Sequence, residues 1–190
     1  MEIILASASP RRRELLKMLK IENFRVIPAT GDEDDCAGLT PDGAVCRLSR
    51  AKATEIRPQA AGDCVLIAAD TLVYLDGALL GKPCDEAEAV EMLKRLSGRA
   101  HSVFTGVTVM RGAAELTKAE ETKVYFRDMT TGEITAYVKT GEPMDKAGAY
   151  AAQGIGGLFI RRIEGDFFNV MGLPLCLLGD MLRELGVSLI

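Results

Sequence analysis

The sequence predicts an α/β fold, a mixed and twisted sheet flanked by helices, on three observations. Segments of strand and helix character alternate along most of the chain. Turn signals at Asp76-Gly77 and Arg111-Gly112 interrupt that alternation, so hairpins stand beside crossover connections. The chain has 190 residues, 48% hydrophobic and 26% charged, enough for a real core in one domain or a tight pair of lobes. That composition excludes a disordered chain.

The elements follow in order. Glu2–Ser7 reads as a short strand, and Ser9-Pro10 opens a helix with Ser as N-cap and Pro at the first helical position. Leu15, Leu16 and Leu19 form its apolar stripe. Phe24–Ala29 reads as a strand, and Pro41–Ile56 as a helix with Val45, Leu48 and Lys52 along one side. Val65–Leu75 is a long apolar strand, and Ala78–Lys82 returns beside it after Asp76-Gly77. A two-residue loop there pairs position i with 153 − i and sets Lys82 opposite Thr71, diagonal to Asp70. Asp85–Leu96 is a helix stopped by Gly98. Val103–Met110 and Thr122–Phe126 are strands. Thr130 and Glu133 make a capping box for a helix carrying Ile134, Tyr137 and Val138. Leu158–Ile163 closes the strands, and Pro174–Leu185 is a last helix.

Charge and composition bound the partners. The net charge is −4 and there is no Trp, a poor basis for binding nucleic-acid polymers, although a local basic cluster suits a small anion. No apolar run approaches the roughly 18 residues of a membrane span. The five cysteines, at 36, 46, 64, 84 and 176, are odd in number and never closer than ten residues, which excludes a CxxC pair. Buried thiols in a reducing compartment are expected, and with no secretory pattern at the N-terminus the cytoplasm is the expected location.

Four features point to chemistry. Arg11, Arg12 and Arg13 crowd the first turn of a helix, whose end is already positive by about half a charge. Either they are solvated, with Glu14 as a partner, or they and the free N–H groups hold an anion such as phosphate. Asp70 lies inside the apolar run Leu66–Val73, where a carboxylate must be paired, bound to metal or bonded to loop backbone. Asp32-Glu33-Asp34-Asp35 is either a solvated loop or a source of oxygen ligands for a hard cation. The small-residue stretch from Gly141 to Gly154 is either a tightly packed loop or a place of close approach to a ligand. Within it the Gln153 amide, both donor and acceptor, suits a base edge.

The sequence has no GxxxxGK[ST], GxGxxG, GxSxG or HExxH. His101, the single histidine, precedes an apolar strand and reads as structural. P-loop, dehydrogenase, esterase and zinc-protease readings are disfavoured.

Ordered motifs over nearly the whole chain then resemble the Maf family of nucleoside triphosphate pyrophosphatases. They run from Ile4–Leu16, with Ser9-Pro10-Arg11-Arg12-Arg13, to Gly172-Leu173-Pro174-Leu175. Between them stand Asp32-Glu33, Lys52-Ala53, Ala69-Asp70-Thr71, Gly81-Lys82-Pro83, Thr105-Gly106-Val107, Gly141-Glu142-Pro143, Asp145–Tyr150 and Gln153-Gly154. Gly31, Ser49 and Ala152 depart from the family's usual Val, Ala and larger aliphatic residue, and no charged group is lost.

The resemblance implies an elongated, two-lobed fold like that of inosine triphosphate pyrophosphatases, a single domain over 1–190 with a central cleft, forming a homodimer. It implies cleavage of a nucleoside triphosphate to monophosphate and pyrophosphate with a divalent cation, Mg²⁺, Mn²⁺ or Co²⁺. Arg12, Thr71 and Gln153 match the dTTP/UTP subgroup, where the 7-methyl-GTP subgroup has Trp, Gln and Glu. Modified pyrimidine nucleotides fit the same expectation. Ser9, Arg13, Lys52 and Lys82 would neutralise phosphate, Glu33 and Asp70 would hold the cation, and Asp70 would accept the proton of the attacking water. Two other readings stay open, a non-enzymatic septation regulator and a nucleotide sensor without turnover.

Overall fold

A computed structural model describes residues 1–30, 36, 38–60 and 62–189. Among these residues seven strands form one mixed sheet in the order β2-β1-β3-β5-β6-β7, with β4 paired to β3. The strands are β1 (Glu2–Ala6), β2 (Phe24–Val26), β3 (Cys64–Leu75), β4 (Ala78–Leu80), β5 (Ala100–Arg111), β6 (Ala114–Phe126) and β7 (Ile160–Glu164). The helices are α1 (Pro10–Met18), α2 (Pro41–Ile56), α3 (Glu86–Leu96), α4 (Thr131–Val138), α5 (Phe167–Met171) and α6 (Leu175–Glu184). The chain divides into two compact units. The first holds Met1–Asp70, Thr105–Glu120 and Gly172–Ile190, and the second Thr71–Phe104 and Glu121–Met171.

In the first unit β1 lies parallel to both β2 and β3, with Ile3 beside Phe24 on one side and Val65 on the other. The chain leaves β1 for β2 through α1, then crosses back past β1 to β3 through α2. The order therefore reverses between β1 and β3, and open α/β sheets take ligands beyond the carboxyl ends of strands at such a point. Ala6, the last residue of β1, pairs with Ala68, so the residues after them sit at that end. β2 stops at Val26 rather than reaching Ala29, because Pro28 has no N–H for a ladder, although Ile27 N–H still donates to Leu5 O at 3.1 Å.

Alternation along β3 sets its faces. Cys64, Leu66 and Ala68 pack with Ile4 and Ala6 against Ala53 and Ile56 of α2. Asp70 continues that row. The seat of α2 on β5 is close: a Cβ at Gly106 would lie 2.1 Å from the carbonyl oxygen of Val45. Beside this contact the Ser49 hydroxyl meets that of Thr108 at 3.0 Å and donates to Cys46 O. The departure at Ser49 thus has its polar group satisfied. Helix α1 forms despite its three first-turn cations because Leu15 and Leu16 are fully buried. Each contributes about 1.5–3 kcal/mol, against a few tenths per misplaced charge.

In the second unit β3 and β4 pair as Val73–Leu80, Tyr74–Leu79 and Leu75–Ala78, the register expected from a two-residue turn. Asp76 and Gly77 both have positive φ, 51° and 82°, as a type I′ turn requires. The ladder ends at Leu80, so the expected pairing of Lys82 with Thr71 is absent. Gly81 O instead accepts from Gly148 N at 3.0 Å, and Lys82 stands on a loop. The N-cap of α3 is Asp85, which accepts from Glu88 N, and the Thr130–Glu133 capping box is complete in both directions. β6 begins at Ala114 rather than Thr122. Ala114–Glu121 has helix-forming composition, and its neighbour β5 holds it extended after the Gly112-Ala113 turn.

The core of the second unit sets aromatic rings among aliphatic side chains such as Leu75, Leu93 and Ile134. Phe126 packs edge-on to Tyr150 and His101, with ring centres 4.8 and 5.0 Å apart, and Tyr137 to Phe159 at 5.1 Å. His101 is buried, as its sequence position implied, and its Nε2 shares a 2.9 Å hydrogen bond with the Tyr150 hydroxyl. Burial pushes the imidazole down to about 4. The cysteines follow expectation only in part: all are free, but Cys64 alone is buried, whereas Cys84 and Cys176 are exposed.

Two outcomes are expected. Gly106→Ala forces α2 off β5 and lowers stability by about 1–3 kcal/mol in urea unfolding, the cost of overpacking; an unchanged midpoint would refute the close contact. Unfolded His101 takes up its proton near pH 6.5 and folded His101 only near pH 4, so its contribution to stability is lost as pH falls between those values. That amounts to about 3 kcal/mol in all and roughly 2 kcal/mol by pH 5. The drop in stability between pH 7 and pH 5 should shrink by that amount in His101→Gln.

Candidate active site

The carboxyl end of β1 and the middle of β3 carry the residues with the least ordinary environments. Asp70 is 8% exposed in a strand otherwise apolar up to that point. Its Oδ1 is held by the ammonium of Lys52. Lys52 reaches it because it lies one residue before Ala53, on the side of α2 that packs over β1 and β3. The Lys52 side chain keeps 27% of its surface in water and that of Asp70 11%. The pair is therefore neither a surface contact nor sealed in the interior. Such a pair is costly to break from one side, since the group left behind keeps its charge.

Arg12 joins them. Its guanidinium is buried, donating from Nε to Gly172 O at 2.7 Å and from Nη1 to Ser7 Oγ at 3.1 Å. Burial pulls it down to about 10, opposed by the negative charge of Asp70 and assisted by Arg11. It stays protonated at neutral pH. Ser7 Oγ also accepts from the amide of Ser9 at 3.2 Å, so one hydroxyl fixes both the turn out of β1 and the arginine.

Ser9 is the N-cap residue of α1, as expected, but its hydroxyl makes no cap hydrogen bond. The first turn has no acidic residue. Arg13 donates from Nη2 to Ala8 O at 3.2 Å, and its buried Nε meets no acceptor among the described residues. The end of α1 thus offers a buried donor beside a helix N-terminus with no acidic residue, which suits an anion.

In this unit the structure brings Lys52, Asp70 and Arg12 together, with Ser9 and Arg13 in the turn beside Arg12. The expected Glu33 lies outside the described residues, as does the rest of 31–35. Among the described residues no three His, Cys, Asp or Glu side chains gather as a metal cage. The oxygen donors of Asp70 nevertheless suit Mg²⁺-like ions, which need only one or two carboxylates when phosphate oxygens and water complete the shell.

The second unit holds Thr71, Lys82 and Gln153. Thr71 is half-buried at the next position of β3, Lys82 is exposed past β4, and Gln153 is exposed on the loop before β7. That loop is built around Glu142, to which sequence reasoning gave no role of its own. Glu142 Oε1 accepts from the Tyr137 hydroxyl at 2.7 Å and from Gly156 N at 3.0 Å, and Oε2 from Ile155 N at 3.0 Å. Burial works to raise its carboxyl, but the Gly156 amide, the Tyr137 hydroxyl, the Ile155 amide and the charge of Lys146 outweigh it and hold it below its usual range. A Cβ at Gly154 would strike Oε2 at 2.3 Å, which explains the glycine. Ser7 and the Gly172 carbonyl were also missed as parts of the site. Both stand inside quoted motifs, but only the three-dimensional path of Arg12 gives them a task.

A sequence model of the family described as Maf-like protein matches residues 2–185. A dTTP/UTP pyrophosphatase of Methanosarcina mazei is 49% identical over 98% of this chain and 95% of its own. One of Thermococcus gammatolerans is 47% identical over 99% of this chain and 98% of its own. Among solved structures, a HAM1 protein of Coxiella burnetii covers 97% of this chain and 99% of its own at a TM-score of 0.54 and 16% identity. The Ham1 protein of Staphylococcus aureus matches at 0.51 and 15% with the same coverage. These two likenesses bear on the fold, and they agree with the mixed α/β architecture.

Lysine cannot serve both acceptors of Arg12, since the guanidinium reaches them from separate nitrogens. Arg12→Lys is therefore expected to lose about 1–3 kcal/mol in denaturant unfolding. Arg13→Lys should lose less, and equal losses would count against the assigned roles.

Proposed function

The chain belongs to the Maf family, and on that premise we propose that it hydrolyses nucleoside triphosphates, dTTP and UTP foremost, to the monophosphate and pyrophosphate. The observation that carries the reading is Asp70: a carboxylate set into an apolar strand at the switch point of the sheet, facing Lys52 and under the influence of Arg12. The names of relatives that match nearly end to end favour turnover over a septation regulator or a sensor. Neither of those roles has any use for a base.

In this reading the triphosphate meets the amides of the first turn of α1, Ser9 and Arg13. The buried Nε of Arg13 supplies a donor still to be satisfied. Lys52 shifts its ammonium from Asp70 towards the phosphate oxygens and so offsets charge where it grows in the transition state. Asp70, released, takes a proton from a water molecule. The water oxygen bonds to the α-phosphorus, the bond to the bridging oxygen of the β-phosphate breaks, and pyrophosphate leaves with that electron pair. A divalent cation held by Glu33, and by Asp70 through water so that its oxygens stay free to act as base, would add Lewis-acid stabilisation of phosphate charge. Lys82 as a further phosphate partner, and Thr71 and Gln153 with Arg12 as selectors of the pyrimidine ring, rest on the family resemblance.

Asp70→Asn is expected to cut turnover at least about 10²-fold, the worth of a general base, with an unchanged circular dichroism spectrum. Assays of UTP with Mg²⁺, Mn²⁺ or Co²⁺ should release pyrophosphate and not single phosphate. Full activity in the variant would remove Asp70 from the chemistry.

A further inference from the structure

We propose that Glu142 is a positioning residue for nucleotide selection, its carboxylate and the Tyr137 hydroxyl clamping the backbone on both sides of Gln153. The inference rests on the reading of Gln153 as a contact to the pyrimidine edge and deepens it.

The clamp is visible atom by atom. On the near side, the amide of Ala151 donates to the Tyr137 hydroxyl at 3.1 Å. On the far side, the amides of Ile155 and Gly156 donate to the two oxygens of Glu142. The same Tyr137 hydroxyl donates to Glu142 at 2.7 Å and so ties the halves together. Tyr137 itself is 2% exposed in helix α4, with its ring against Phe159. The anchor is therefore a core residue, and the loop inherits its rigidity. Gly154 and Gly156 leave no space for slack, since a Cβ on either would meet Glu142 Oε2 at 2.3 Å or the Tyr137 oxygen at 2.6 Å. Lys146 locks the other end of Glu142 by donating to its carbonyl oxygen at 2.7 Å.

Two oxygens are needed because three donors converge. An amide in place of the carboxylate would turn an NH₂ group towards at least one N–H that now finds an acceptor. Gln153 lies between these fixed points with its side chain exposed. An amide offers both a donor and an acceptor, so it discriminates among ring edges only if its backbone cannot drift. Preorganisation of this kind is read as affinity and selectivity rather than as chemistry.

The test is a double-mutant cycle on the whole protein, with kcat and KM measured for UTP and CTP. Glu142→Gln should raise KM for UTP more than it lowers kcat, and reduce the UTP to CTP ratio of kcat/KM about tenfold, the scale of one hydrogen bond. In a Gln153→Ala background the same substitution should leave that ratio where Gln153→Ala put it. If Gln153→Ala shifts the ratio but Glu142→Gln does not, or the two effects add, the clamp is overturned and base reading survives. If Gln153→Ala leaves the ratio untouched, base reading fails and the clamp fails with it. Should Glu142→Gln not fold, Tyr137→Phe, which keeps the ring and removes only the hydroxyl, carries the same expectations.

Discussion

A carboxylate in the middle of an apolar strand is the constraint from which the first unit is best understood. Left alone, Asp70 would cost far more than any neighbouring methyl group returns, so it must meet positive charge. Lys52 supplies that charge directly and Arg12 from a short way off. Both cations then need their own support. Lys52 depends on where α2 lies, and Arg12 depends on Ser7 and on the carbonyl of Gly172. A single unfavourable residue thereby organises a helix seat, a strand-to-helix turn and the start of the chain's last segment. Beside this arrangement the end of α1 carries a buried arginine donor that suits an anion.

The second unit reaches order by different means. Its interior sets edge-to-face rings among aliphatic side chains, and its polar work is done by closely spaced groups on α4 and the loops that follow it. Glu142, Tyr137 and Lys146 together satisfy the backbone of a segment with almost no regular structure. In the first unit Asp70 is held by charge against charge. The loop of the second is held by carboxylate and hydroxyl against amide.

Much of this was legible in the sequence, and for identifiable reasons. Asp76-Gly77 fixed the register of its hairpin because a two-residue turn allows no other pairing. Thr130 and Glu133 announced a capping box, and both of its hydrogen bonds are present. Asp70 stood out because polarity and period disagreed there. The failures were equally physical. Ala114–Glu121 has helix-forming composition, and only its partner strand makes it extended. Lys82 left the ladder because Gly81 found Gly148, a partner more than sixty positions away that no local rule could supply. Ser7 and Glu142 stood inside quoted motifs without a task, because what they hold is set by the path of the folded backbone and of the Arg12 side chain.

The contact of Gly106 with the carbonyl of Val45 leaves room for one hydrogen atom. A designer who wished to retune this protein for another nucleotide would find that floor fixed. Raising the helix by the width of a methyl group would carry the lysine ammonium off its carboxylate, so repurposing has to work at the tips of side chains and leave the scaffold beneath them as it is.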